Sequence, residues 1–427
     1  MRSELIVATA MAISGTDTAA ATYVKAGDDS PLVRMVKEGN TEGLDAYALR
    51  GTDHLARLFV EAGAERSRFD LGASADRATA CYARAKALEL PAVGFLMACA
   101  ELRVGNALLA GHFKDWTLQA DQARRDIYPL LRQQAGKALR MASLESPPAN
   151  AFTRWPTPTW RRDAASSAVP AFPAPLEGMK TLVFVDAVAN GSAVAMMVNT
   201  GSQITILSRA DAKRAKAEES GMTVMEVASS QDAKGIAVNA ARLDTLKLGG
   251  MTLSNANLGI WDMPFSVLGL DLLRQLPAPI RVTSDGITFD AGRMPNDCSG
   301  HLFLQGELGA RPVHLFSSGS LDGIRTAFKI DTGNDGGIIR RSRPGDLPGK
   351  PVNVTTLSGH ATIHTANVRQ SAGIGTIATS QAVRVISDES AQERLVGAAA
   401  IRAGGALWLN FAQQRGCLLT VNTHAQD

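Results

Sequence analysis

Ala327-Phe328-Lys329-Ile330-Asp331-Thr332-Gly333-Asn334 places a short acidic turn at the end of an apolar run, and Met196-Met197-Val198-Asn199-Thr200-Gly201-Ser202 does nearly the same earlier in the chain. The later copy carries a carboxylate where the earlier one carries an amide. Each turn is followed by a second signature. In Val267-Leu268-Gly269-Leu270-Asp271-Leu272-Leu273-Arg274, Gly269 lies 70 positions after Asn199; in Leu395-Val396-Gly397-Ala398-Ala399-Ala400-Ile401-Arg402, Gly397 lies 66 positions after Asp331. Both have two hydrophobic residues before the glycine, an aliphatic residue four after it and an arginine five after it. A lone Asp-Thr-Gly fits any β-turn. Two motifs repeated in the same order at nearly the same separation define a duplicated unit.

Around these motifs the hydrophobic period is close to two. Leu182-Val183-Phe184-Val185 and the run from Ala193 to Val198 are joined by Asn190-Gly191, a pair that accepts the positive φ angles of a type I′ hairpin turn. Leu243 to Leu248 before Gly249-Gly250, Ile280-Arg281-Val282 before Asp285-Gly286, and Ile287-Thr288-Phe289 continue the series. Short, turn-bounded strands predict an all-β, barrel-like region with one helix at Ala210 to Glu219.

The paired constellation resembles the retropepsin-like and pepsin-like aspartic peptidases, over residues from about 178 to 425. Their lobes carry a hydrophobic-hydrophobic-Asp-Thr/Ser-Gly turn and, later, a hydrophobic-hydrophobic-Gly segment that crosses behind it. The resemblance implies two tandem β-barrel lobes, 178–297 and 298–427, with a polypeptide substrate or ligand gripped between them. It implies Asp331 and Asn199 as the pair at the catalytic position. Thr200 and Thr332 would hydrogen-bond across the lobe junction, and Gly201 and Gly333 would let the backbone turn tightly beneath them. Ser202 would support the first-lobe side chain, with Asn334 in the corresponding place of the second. Flaps over the cleft fall at Ser229 to Asn239 in lobe one and Leu357 to Thr362 in lobe two. The family needs no cofactor.

Asn199 departs from that pattern where the chemistry is decided. Two adjacent carboxylates share a proton, so one activates water while the other donates to the substrate carbonyl. An amide supplies neither an ionised base nor a dissociable proton near neutral pH. Three readings follow: a pseudopeptidase that binds extended peptides without cutting them; an active homodimer pairing Asp331 from two chains; or residual aspartic endopeptidase activity with the amide orienting the water.

Upstream, the pattern from about Pro31 to Ala142 is helical, with apolar residues at three- and four-residue spacing. Ala78, Tyr82 and Ala85 have the small-large-small spacing of a tetratricopeptide-like second helix, and Gly111 with Ala123 hints at another copy. An all-α domain over 1–143 that docks a protein partner is one expectation, and a plain helical bundle the other. Residues 144–177, with seven prolines between Pro147 and Pro175, read as a Pro-rich linker that Trp155 and Trp160 pin in part.

Composition excludes several classes. Of the 427 residues 45% are hydrophobic and 20% charged, as expected of a globular chain long enough for two or three cores. A net charge of +3 without a basic-aromatic stripe argues against nucleic acid. No apolar stretch is long enough for a membrane-spanning helix. Residues 1–22 read either as a leader to the periplasm or exterior, or as an apolar N-terminus of a cytoplasmic protein. Cys81, Cys99, Cys298 and Cys417 are too few and scattered to predict disulfides or a metal site. His360 and His364 share a strand face without further ligands nearby, and Ser317-Ser318-Gly319-Ser320 reads as a turn rather than a nucleophile loop.

Overall fold

The computed structural model describes residues 22–24, 30–50, 53–88, 92–163, 168–172, 179–227, 236–346, 349–356, 359–387, 394–403 and 405–420. The chain divides into two compact units, Met1–Trp155 with Leu304–Val313, and Pro156–Phe303 with His314–Asp427.

The first unit contains six α-helices among its described residues: α1 (Pro31–Lys37), α2 (Thr41–Arg50), α3 (His54–Ser67), α4 (Leu71–Lys86), α5 (Val93–Leu109) and α6 (Phe113–Ala135). Pro31 begins α1, where its missing N–H costs nothing. The Asp53 carboxylate accepts from Leu55 N and Ala56 N and so caps α3, and Asp70 caps α4 through Ala73 N. Gly136, at φ 66°, ends α6 in the left-handed conformation. Successive helices pack on one another, and α5 is buried on nearly every side. That burial explains why its sequence is apolar all round rather than striped.

Ala78, Tyr82 and Ala85 are all buried on α4, and the Tyr82 hydroxyl donates to Asp126 on α6 at 2.7 Å. Gly111, at φ 70°, stands in the turn between α5 and α6 rather than inside a first helix. Residues Leu304–Val313 complete this unit. The buried Arg66 guanidinium donates to the Leu308 and Glu307 carbonyls, Arg311 lies 4.9 Å over the Trp116 ring, and Lys37 pairs with Glu307 at 2.9 Å. Phe113, Phe152 and Trp155 form an aromatic cluster beside them, so Trp155 is anchored to helices.

The second unit repeats one β motif twice. Lobe one comprises β1 (Phe184–Ala189), β2 (Ser192–Val198), β3 (Ile206–Ser208), α7 (Arg209–Arg214), β4 (Glu218–Val227), β5 (Ile236–Leu248), β6 (Met251–Trp261), β7 (Ser266–Leu268) and α8 (Leu270–Leu273). Lobe two comprises β8 (Leu302–Gly306, whose last three residues belong to the first unit), β9 (Val313–Leu321, whose first residue does too), β10 (Ile324–Ile330), β11 (Ile338–Arg341), β12 (Lys350–Thr356), β13 (Gly359–Ile374), β14 (Thr379–Ile386), β15 (Arg394–Val396) and α9 (Ala398–Arg402).

The register makes the repeat concrete. β7 runs parallel to β2 (Leu268↔Val198) and antiparallel to β3, and β3 runs parallel to β6. Correspondingly, β15 runs parallel to β10 (Ile330↔Val396) and antiparallel to β11, and β11 runs parallel to β14. Each apolar strand thus delivers its turn next to the strand that ends at the motif glycine. The Asn190-Gly191 hairpin has the expected φ values of 45° and 83°.

Several details differ from expectation. The four cysteines pair, Cys81 with Cys99 between α4 and α5, and Cys298 with Cys417. Their separations of 18 and 119 residues form no recognisable spacing, and only helix packing and the return of the final strand bring them together. Within 144–177 two described segments are strands. Thr159–Arg162 pairs with β6, and Ala168–Phe172 bridges β1 and the strand Gly286–Thr288. The helix expected over Ala210 to Glu219 is shorter, because Glu218 already belongs to β4. Among the described residues no helix is long and apolar enough to cross a membrane.

Candidate functional site

Asn199 and Asp331 stand at the ends of β2 and β10, where each side chain folds back over its own turn. Gly201 N donates to Asn199 Oδ1 at 2.8 Å and Ser202 N does so at 3.2 Å; Gly333 N donates to Asp331 Oδ1 at 3.2 Å. The two side chains then reach across the lobe junction. A Cβ on Gly201 would fall 2.2 Å from Asp331 Oδ1, and one on Gly333 would fall 2.2 Å from Asn199 Nδ2. Here glycine is required for close approach: each turn leaves room for the opposite functional group.

Thr200 and Thr332 lock the junction. The Thr200 hydroxyl donates to Ile330 O at 2.8 Å and accepts from Thr332 N at 3.1 Å. The Thr332 hydroxyl donates to Val198 O at 2.7 Å and accepts from Thr200 N at 3.0 Å. Both threonines are 1% exposed, so the four bonds have no water to replace them. All four close within one chain.

Ser202 and Asn334 each make hydrogen bonds within their own turn. Ser202 supports Asn199 through its backbone N–H, while its hydroxyl donates to Ile204 O at 2.7 Å. The Asn334 side chain accepts from Gly336 N at 2.9 Å and so shapes its own turn. The flap expectations fall on hairpins β4–β5 and β12–β13, whose tips, 228–235 and 357–358, lie outside the described residues. His364 is exposed on β13; His360's side chain is outside the described set. Among the described residues no cluster of three His, Cys, Asp or Glu could hold a metal.

The motif pattern does not single out Lys329, yet the structure places it at the site. Two residues before Asp331, near the end of β10, it is 6% exposed and brings Nζ to 3.3 Å from Asp331 Oδ2. His314 on β9 lies close by. Burial, reinforced by the Lys329 charge and opposed by Asp331, lowers the imidazole to about 4, and its Nδ1 is buried without a hydrogen-bond partner among the described residues. Behind the first turn, burial pushes the Asp271 carboxyl up to about 6, although Thr205 Oγ1 and Leu272 N donate to it at 2.8 Å each.

These two groups pull stability in opposite directions with pH. A buried neutral histidine stabilises the fold above its unfolded value of about 6.5, and that contribution is lost as pH falls toward 4. A carboxyl raised to about 6 contributes stability that is full below about 4 and lost as pH rises through 6. Each effect is on the order of 2–3 kcal/mol. Denaturant midpoints between pH 4 and 6.5 should therefore be nearly flat for the natural chain. His314→Leu should gain stability on acidification and Asp271→Asn should lose it; two parallel profiles would contradict the assignment.

Residues 185–275 match the family described as "gag-polyprotein putative aspartyl protease". No curated protein matches the sequence. Among solved structures, a retropepsin-like aspartic protease from Rickettsia conorii is similar at 15% identity over 31% of this chain and 91% of that one, with a TM-score of 0.21. EIAV protease complexed with an inhibitor is similar at 17% identity over 24% of this chain and 93% of that one, with a TM-score of 0.19. The family match spans most of lobe one, including both of its motifs. The register repeat carries the same strand arrangement into lobe two, beyond the residues matched.

Proposed function

We propose that this retropepsin-like domain holds an extended polypeptide between its two lobes and has lost hydrolysis, a pseudopeptidase in which Asp331 is the surviving catalytic-type carboxylate. The observation that carries this reading is the partner of Asp331: the threonine lock closes within one chain, and the group facing the acid is the Asn199 amide. With Oδ1 engaged by two backbone N–H groups, Asn199 has only Nδ2 left to offer, and an amide N–H can hold a peptide carbonyl but cannot take a proton from water. Losing a general acid-base group costs on the order of a thousand-fold in rate. The homodimer alternative has less support, because the hydroxyls that a second copy would have to engage are already satisfied. The helical unit, with six helices stacked in succession, is proposed as the surface for a protein partner.

Fluorescein-labelled casein incubated with the full chain between pH 3 and pH 8 should remain intact. It should still bind, with similar affinity for the natural chain and Asp331→Ala by fluorescence anisotropy. Cleavage that disappears in Asp331→Ala would overturn the reading in favour of an active aspartic endopeptidase.

A further inference from the structure

We propose that Lys329 is a second block on hydrolysis, acting through Asp331 and independently of Asn199, as a built-in counter-ion where a working pair would hold a shared proton. This rests on the non-cutting reading above and adds a positioning residue to it. The geometry is direct. Lys329 lies near the end of β10 and Asp331 directly follows that strand, the lysine is 6% exposed, and its ammonium sits 3.3 Å from Asp331 Oδ2.

The sister lobe shows that the fold does not require a lysine there. Met197 holds the matching place two residues before Asn199 and is 3% exposed. Its register is the same, Met197↔Val267 on β7 against Lys329↔Leu395 on β15. A buried ammonium is costly unless paired, and it occurs in the lobe that retains the acid, where it is paired with that acid.

Charge counting gives the consequence. Two carboxylates alone share a proton because like charges at close range do not both ionise cheaply. An ammonium at 3.3 Å offsets that repulsion, so in an Asn199→Asp chain it takes the place of the shared proton that would donate to the substrate carbonyl. His314 on β9 also feels Asp331; it is neutral above about pH 4 and adds no charge at pH 6, where the variants are compared.

The test uses four full-length chains: natural, Asn199→Asp, Lys329→Met, and the double variant, each with labelled casein from pH 3 to pH 8. Lys329→Gln replaces Lys329→Met if circular dichroism shows that the methionine chain is misfolded. The natural and Lys329→Met chains should be silent, and Asn199→Asp alone should cleave weakly and only in acid. The double variant should be at least about ten-fold faster at pH 6, with its alkaline limb about one unit or more higher. Equal rates and coincident pH profiles for Asn199→Asp and the double variant would overturn the role of Lys329 while leaving the non-cutting reading intact. A folded but silent double variant would also overturn it. Cleavage by the natural chain, abolished in Asp331→Ala, would instead defeat the reading on which the inference rests.

Discussion

Thr200→Val should destabilise the β unit by about 2–4 kcal/mol, with Thr332→Val close behind. Valine preserves the β-branched shape, so packing changes little and the loss is polar. Removing the Thr200 hydroxyl strips Ile330 O of its donor and Thr332 N of its acceptor, both buried at the lobe junction. An orphaned buried polar group costs about 1–3 kcal/mol, and each substitution creates two. The double variant should fall short of the sum, because the four bonds form one network whose members stop supporting each other once half is gone. Urea denaturation of the full chain, compared with that of each variant, reads the effect. A loss under about 1 kcal/mol for both single variants would mean that the lobes are held by other contacts. Peptide binding should weaken in parallel, since the same bonds set the separation of Asn199 and Asp331.

How much of this was legible in advance depends on the range of the interaction. The two turns, their glycine partners and the cross-lobe threonines could be read because each is a local motif that recurs. Lys329 was equally local, two positions before the aspartate, yet inside an apolar run it reads as a tolerated polar residue. His314 was not legible, since its place beside Lys329 follows from the β9–β10 register, which pairs Phe316 with Lys329. The cysteine pairs and the association of Leu304–Val313 with the helices are longer-range still. Arg66 meets Leu308 and Glu307 across 242 and 241 positions, and nothing in either segment announces the other. One consequence is practical: deleting the helical region would strip that segment of its core, so the helical unit's role is better probed by point substitutions in the full chain.

Gly397→Ala and Gly269→Ala should each cost about 3 kcal/mol, comparable to losing a threonine of the junction, although the added group is a single methyl. Neither glycine needs its conformational freedom; φ is −108° at Gly397 and −89° at Gly269, values any residue adopts. What they need is space. A Cβ on Gly397 would lie 2.4 Å from Gly336 O and 2.6 Å from Asn334 O; one on Gly269 would lie 2.4 Å from both the carbon and the oxygen of the Ile204 carbonyl. All are backbone atoms of the functional turns, and the turns cannot simply move away. Gly397 N and Ala398 N donate to Gly337 O and Asn334 O, while Gly269 N and Leu270 N donate to Thr205 Oγ1 and Ser202 O. Relief of the clash must therefore stretch these bonds and displace Asp331 or Asn199 with them. Gly337→Ala is the control, because an added methyl there would have no atom within 4 Å and the backbone is not in the left-handed region. It should change stability by less than about 0.5 kcal/mol. If Gly397→Ala proved as mild as Gly337→Ala, the crossing segment would not be in contact with the turn, and the physical reason for the paired glycines would be lost.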